Sequence, residues 1–213
     1  MRANGKVRNM DKYYATAGAV VLAAMLGWAT YNAVAPRDGD RFSACRTGVV
    51  AGGKIGGAFS LTDQNGLSVT DAQVFAKPAL VYFGFTSCKD VCPLDNARNA
   101  EASDILAKQG LDVTPVFITV DPARDTPAVM KAYLANFGTR FVGLTGSADQ
   151  IKVAAAAFKA YYRVPDNPGQ DYDVDHMTIT YLMLPKTGFA DIFQHETTAQ
   201  QMADRTGCFL KAS

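Results

Sequence analysis

Histidine is almost missing from this chain. Its 213 residues include two, His176 and His195, beside four cysteines and a single tryptophan. Any site built from imidazole and thiolate therefore has few possible members. An excess of one charge is missing as well: 21 basic residues against 20 acidic ones leave a formal charge of +1. That removes a bulk electrostatic case for nucleic acid as partner. No repeat of fixed period is visible, and no low-complexity tract beyond short alanine runs, which sets aside solenoids and biased, unfolded chains. At 48% apolar residues, the chain has the composition for one sizeable core and is too short for two full domains.

Charge is locally absent from residues 14–35, YATAGAVVLAAMLGWATYNAVA. A helix of this length spans about 33 Å, enough for the hydrocarbon layer of a bilayer. Tyr13, Tyr14, Trp28 and Tyr31 lie towards its ends, where amphipathic rings favour the headgroup region. Arg2, Lys6, Arg8 and Lys12 precede it against the single acid Asp11. The positive-inside rule then leaves the N-terminus in the cytoplasm and the rest of the chain outside. Ala33-Val34-Ala35 fits a small-x-small cleavage site, but the apolar run is longer than a signal peptide's h-region, so the expectation is an uncleaved anchor. The organisation expected is a cytoplasmic tail at 1–13, a transmembrane anchor at 14–35, a linker at 36–51 and a domain at 52–213. A single-pass protein of the cytoplasmic membrane would carry that domain in the periplasm, or in the mitochondrial intermembrane space if the chain is eukaryotic. Both compartments permit disulfides.

Within the domain, AFSLTD and LSVTD flank Asn65-Gly66, a strong hairpin signal. ALVYFGF (79–85) is an unbroken apolar run and reads as a buried central strand. Pro93 suits the first turn of the following helix, with Leu94, Ala97, Ile105 and Leu106 as its inner face and Gly110 as its end. VTPVFITV (113–120) is a second buried strand, whose ladder is expected only after Pro115. Thr126 or Asp125 then caps a helix with Pro127 at its first position. RFVGLT is a short strand, and Ser147 caps a helix expected to run through IKVAAAAFKAYY. HMTITYLMLP and GFADIFQH pair as a hairpin, and a last helix starts near Thr198. Strands alternating with helices, then a closing hairpin and helix, give an α/β domain with a mixed sheet.

Against this frame, GFTSCKDVCP (84–93) puts Cys88 and Cys92 at the carboxyl end of the central strand, where α/β folds place ligands. Residues four apart share one helical face, so both sulfurs can point at one spot. The helix N-terminus and Lys89 favour the thiolate, the form needed by a nucleophile and by a metal ligand alike. Redox pairs are more often three apart than four. Two thiolates alone make a poor zinc site, whereas soft thiolates with one imidazole suit copper. Of the two histidines, His176 follows Asp175 at the entrance to a strand beside the central one. Ligand and loop residue are balanced readings for it on pattern alone. Asp175 is a candidate to orient its ring. His195 reads as a solvated loop histidine.

Taken together and in order, YFGFTSCKDVCP, VDPARDTP and DVDHMTITYLM resemble the Sco (SenC/PrrC-type) family of copper-handling proteins over roughly residues 52–205. The resemblance implies a thioredoxin-like fold on a membrane anchor, with copper, Cu(I) or Cu(II), held by Cys88, Cys92 and His176. It implies service to the dinuclear copper centre of cytochrome c oxidase, with that centre's subunit as partner, and other copper chaperones or a thiol reductant as further partners. Thioredoxin relatives keep a proline before the strand that here begins Asp175-His176-Met177-Thr178, and its absence favours metal holding over general dithiol exchange. Ser87, Lys89 and Met177 depart from the family's usual His, Pro and Ser. The expected role is a copper chaperone rather than a turnover enzyme. Two alternatives stand beside it: a thiol-disulfide oxidoreductase working through Cys88 and Cys92, and a copper or redox sensor. Arg124 and Asp125 read as braces of their loop. Asp166, Asp171, Asp173 and Asp175 read first as an ordinary solvated loop, with a docking surface as the alternative, and the two prolines and glycine between Pro165 and Gly169 suggest that this loop moves.

Cys45 and Cys208 remain. Two leftover cysteines near the domain's ends, in an oxidising compartment, suggest a disulfide, with free or intermolecular thiols as the alternative.

Overall fold

The computed structural model describes residues 20–31, 41–46, 54–166, 169 and 171–213. The chain divides into two units, Met1–Asp40 and Arg41–Ser213. In the first, residues 20–31 are helical and exposed, and the rest of the expected 14–35 anchor lies outside the described residues. Among the described residues no helix is long and apolar enough to cross a membrane.

The second unit is built on a seven-stranded mixed sheet, in the order β2-β1-β5-β4-β3-β8-β9. Its strands are β1 (Ser60–Asp63), β2 (Ser68–Thr70), β3 (Ala79–Gly84), β4 (Thr114–Thr119), β5 (Val142–Thr145), β8 (Thr180–Leu184) and β9 (Gly188–Phe193). β3, β4 and β5 run parallel, and β1, β2, β8 and β9 close both sides with antiparallel pairs. Every residue of β3 is buried, as its unbroken apolar run requires of a strand covered on both faces. A separate two-stranded ribbon pairs β6 (Tyr162–Arg163) with β7 (Asp175–His176).

The helices are α1 (Asp71–Val74), α2 (Val91–Lys108), α3 (Pro127–Leu134), α4 (Ala148–Phe158) and α5 (Ala199–Lys211). Their starts follow local chemistry. The side chains of Thr126, Ser147 and Thr198 each accept a backbone N–H of the first turn, and Pro127 occupies a first-turn position of α3. The β1–β2 turn places Gly66 at φ +85°, which glycine adopts freely, while Asp63 Oδ1 accepts the N–H groups of Asn65 and Leu67, each at 2.8 Å. Phe158 of α4 packs on Phe83 and Tyr181, with centroids at 5.4 and 5.3 Å. Since successive strand residues face opposite ways, Tyr82 and Thr180 belong to the other face, which α2 covers beside α5.

Several expectations are corrected. Pro115 does pair, opposite Leu80. The N–H of Thr114 points at β3 through Pro78 O, 2.9 Å, so the imide nitrogen of Pro115 faces the β5 side, where pairing starts only at Val116. The α4 helix stops at Phe158 rather than at the tyrosines. Lys159 turns left-handed at φ 53° and Ala160 N–H reaches back to Ala155 O at 2.9 Å, which frees Tyr162 for the ribbon. His176 does not begin a continuous strand with β8: β7 pairs with β6, and residues 177–179 intervene.

The inner face of α2 is also different from the apolar stripe expected. Leu94 and Ala97 are exposed, and the buried face holds Asp95, Asn96, Arg98, Asn99 and Ser103 along with Cys92, Ala102 and Leu106. Each of these polar side chains has at least one hydrogen-bond partner across the interface, such as Ser103 Oγ donating to Val113 O at 2.7 Å and Asn96 Nδ2 to Tyr133 Oη at 3.1 Å.

Candidate metal centre

Strand β3 delivers the chain to the site. It ends at Gly84, and residues 85–90 form the turn into α2. Cys88 lies in that turn and Cys92 in the first turn of the helix. Asp90 occupies the helix-start position without its side chain capping the helix. Cys88 Sγ instead receives the Cys92 backbone N–H at 3.4 Å, taking one of the helix's unpaired amides. Anionic sulfur is favoured there by the helix dipole. Gly84 makes the close approach possible: a Cβ on it would stand 2.8 Å from Cys92 Sγ, 2.9 Å from the Phe117 ring and 3.0 Å from the Tyr82 ring.

The ribbon delivers the third member. His176, opposite Tyr162 in the β6–β7 pairing, places Nε2 3.4 Å from Cys92 Sγ. Its Nδ1–H donates to the Met177 carbonyl at 3.0 Å. That bond leaves the Nε2 lone pair for a ligand role and fixes the ring as second-sphere partners of metal-bound histidines do. The orienting group is thus a backbone carbonyl, whereas Asp175 points to solvent. Met177 turns away, its sulfur accepting the Tyr161 N–H at 3.3 Å. The rings of Tyr82 and Phe85 meet His176 edge-on at 6.0 and 5.7 Å. The ligand atoms of Cys88, Cys92 and His176 all lie within 4.8 Å of one another.

The two sulfurs are unequal. The Cys88 thiol is held down to about 3, chiefly because Cys92 hydrogen-bonds to it, with burial opposing and His176 and the backbone N–H groups of Cys92 and Asp90 helping. Cys92 is pushed up by the same bond to Cys88 and then by burial. Without metal the pair is a thiolate beside a thiol. A soft cation that displaces the Cys92 proton meets two thiolate sulfurs and one imidazole nitrogen, a donor set suited to copper.

An open cleft of about 820 Å³ leads to the site, bounded by Ser87, Lys89, Asp90 and Arg124 and by the segment from Asp171 to His176. Asp90, Asp171, Asp173 and Asp175 are exposed around it, as are Ser87 and Lys89. Residues 167 and 168, within the 165–169 stretch of the loop expected to move, and residue 170 after it lie outside the described residues.

The VDPARDTP segment braces this cleft. Buried Asp121 pairs with Arg124 Nε and accepts Tyr172 Oη at 2.7 Å. The Arg124 guanidinium stacks 3.6 Å from the Tyr172 ring centroid and donates to Tyr172 O at 2.9 Å. Asp125, fully buried, accepts Thr86 N–H at 3.0 Å and the hydroxyls of Thr86 and Thr119, each at 2.5 Å. Its own carbonyl accepts Thr145 Oγ1 at 2.7 Å. One residue thereby ties together the carboxyl ends of β3, β4 and β5. Burial pushes its carboxyl pKa up, against those hydrogen bonds.

His195 is not solvated as expected: its Nδ1–H donates to buried Asp95 Oδ1 at 2.9 Å. Cys45 and Cys208 stand apart from the site and form a disulfide, with Cα atoms 5.6 Å apart. Sequence reasoning missed Tyr82, Gly84 and Phe85 as walls of the site. It also missed Arg98, although Asp95 and Asn99 repeat at helical spacing from Cys92 and marked the face as polar.

The SCO1/SenC family model matches residues 49–211. Protein SenC of Rhodobacter capsulatus is 46% identical over 204 residues, 95% of this chain and 92% of that protein. Among solved structures, yeast Sco1 with copper bound is 37% identical, with a TM-score of 0.72 over 76% of this chain and 91% of the other. Arabidopsis thaliana ScoI with copper bound is 37% identical, with a TM-score of 0.69 over 74% of this chain and 99% of the other. The fold is thioredoxin-like, and the chain belongs to the SCO1/SenC family.

Proposed function

We propose that this protein is a membrane-anchored copper chaperone that carries one copper ion on Cys88, Cys92 and His176 and passes it to the dinuclear copper centre of cytochrome c oxidase. The observation that carries the reading is the convergence of three soft or borderline ligand atoms within 4.8 Å, in a geometry set by a strand end, a helix start and a ribbon. Copper is cargo here. The recipient is read from family membership, and the copper-bound relatives support the choice of metal. Anchoring through residues 14–35, with the N-terminus in the cytoplasm and the domain in the periplasm or intermembrane space, rests on the apolar run and the basic flank before it.

Transfer proceeds by exchange of ligands. His176 sits at the mouth of the cleft on a two-residue strand, so it is the ligand that leaves first, and the recipient's sulfur or imidazole enters in its place. Cys88 is half-buried and Cys92 fully buried, so Cys92 is the last to let go. A loaded chain mixed with the metal-free soluble domain of the recipient subunit should transfer copper, and His176→Ala should fail to retain it long enough to do so. Retention and transfer unaffected by His176→Ala would sink the reading.

A second reading follows from the asymmetry of the sulfurs. A stabilised Cys88 thiolate beside a Cys92 thiol can attack a disulfide in the recipient's copper site. Cys88 then forms a mixed disulfide, Cys92 displaces the recipient's sulfur, and the recipient gains two thiols, one proton coming from Cys92 and one from solvent, as Cys88 and Cys92 become a disulfide. This reductase role needs both cysteines and leaves His176 dispensable.

A further inference from the structure

We infer that Arg98 is a positioning residue for the metal centre, locking the helix that carries Cys92 to the strand that follows His176; the inference rests on the copper reading above. Its side chain is 9% exposed. Nη1 donates to Gln194 O at 2.9 Å and His195 O at 2.6 Å, and Nη2 donates to Thr180 Oγ1 at 3.0 Å. Thr180 in turn donates to Asn99 Oδ1 at 3.2 Å. Asp95 Oδ1, one turn from Cys92, forms an ion pair with Arg98 Nη1 at 2.9 Å and accepts His195 Nδ1–H at 2.9 Å.

These contacts close a circuit. Cys92, Asp95 and Asn99 share one face of α2. Thr180 begins β8 four residues after His176 and lies opposite Tyr82 on β3. Tyr82 Oη reaches Cys92 Sγ at 3.9 Å, and its ring meets His176. The circuit runs from Cys92 down α2 to Arg98, across to Thr180, back along the chain to His176 and over the gap to Cys92. Packing alone does not call for such a face. Apolar side chains of similar volume would stabilise the helix as well or better, and buried charged groups are retained where they fix geometry. Asp95 Oδ2, Arg98 Nε and Asn99 Nδ2 are buried with no hydrogen-bond partner among the described residues, a cost that an apolar face would avoid.

The test uses the full chain, with Arg98→Lys and Thr180→Val as variants. Lysine keeps the charge and loses the fork, and valine keeps the shape and loses the hydroxyl. A control, Phe209→Leu, loosens the other core cluster, where Phe209 is fully buried. Proton–nitrogen NMR of the metal-free protein reads the His176 ring, and copper competition reads affinity. Both variants should shift or broaden the His176 ring signals and lower copper affinity by about tenfold, the scale of losing a hydrogen bond to a charged group. Thr180→Val should add little further loss on top of His176→Ala, because both act through the same ligand. The control should leave the His176 signals in place. Unchanged His176 signals in the variants, an equal shift in the control, or fully additive losses would each overturn the inference. Wild-type protein that binds no copper through His176 would instead overturn the copper reading, and the metal-free spectra would still decide the role of Arg98.

Discussion

Cys88 and Cys92 are chemically alike as residues and are made unequal by where they sit. Cys88 accepts a helix amide and the Cys92 thiol, while Cys92 is sealed between Gly84, Tyr82 and His176. A thiol pKa lowered to about 3 means that Cys88 is thiolate at every pH well above that value. Its alkylation in the metal-free, reduced site should therefore be fast and flat with pH through the neutral range, falling only in strong acid. Cys92, pushed the other way, should react slowly throughout. Peptide mapping after a short pulse of iodoacetamide gives the answer, and equal labelling of both sulfurs would contradict the asymmetry. His176 shows the same dependence on surroundings. Its sequence context offered Asp175 as orienting partner, but the Met177 carbonyl holds Nδ1–H, a choice made by backbone that no side-chain motif records.

At the scale of elements, three pieces have to be held in register: the β3–α2 turn, the ribbon and the loop after β4. Arg124 joins the last two through Tyr172. Arg124→Met should free the segment from Tyr172 to Asp175 while leaving the sheet intact. Hydrogen exchange should then rise in that segment and stay unchanged in β3 and β4; protection unchanged everywhere would remove the clasp from the account. Much of this architecture was legible. Asn65-Gly66, Thr126-Pro127, Ser147 and Thr198 carry local chemistry that survives in the fold, and the apolar run of β3 announced a strand covered on both faces. The polar face of α2 was not legible, because its partners, Thr180, Gln194 and His195, lie about a hundred residues away or nearly so. The ribbon was hidden for a related reason. His176 and Thr180 look like one strand until Tyr162 is seen to compete for the first of them.

For the whole molecule, the Cys45–Cys208 disulfide closes the chain over 163 residues and fastens the turn at Ser43–Cys45 to α5. Phe42 adds to this by packing on Phe209 at 5.2 Å. Removing a native disulfide from a small domain costs about 2–5 kcal/mol. The Cys45→Ser, Cys208→Ser double variant should lose stability on that scale and keep its copper affinity, because the bond lies in a core cluster separate from the one containing Cys92. Chemical denaturation beside copper competition measures both. Lost affinity in a folded double variant would show that the disulfide reaches the site.

The most direct measurement is copper titration of the reduced protein without oxygen, wild type beside His176→Ala, with X-ray absorption of the loaded forms. One copper per chain, bound by two sulfurs and one nitrogen, is expected in the wild type, with affinity collapsing and the nitrogen lost in the variant. Weak binding that does not depend on His176 would contradict the copper reading and leave Cys88 and Cys92 as a dithiol.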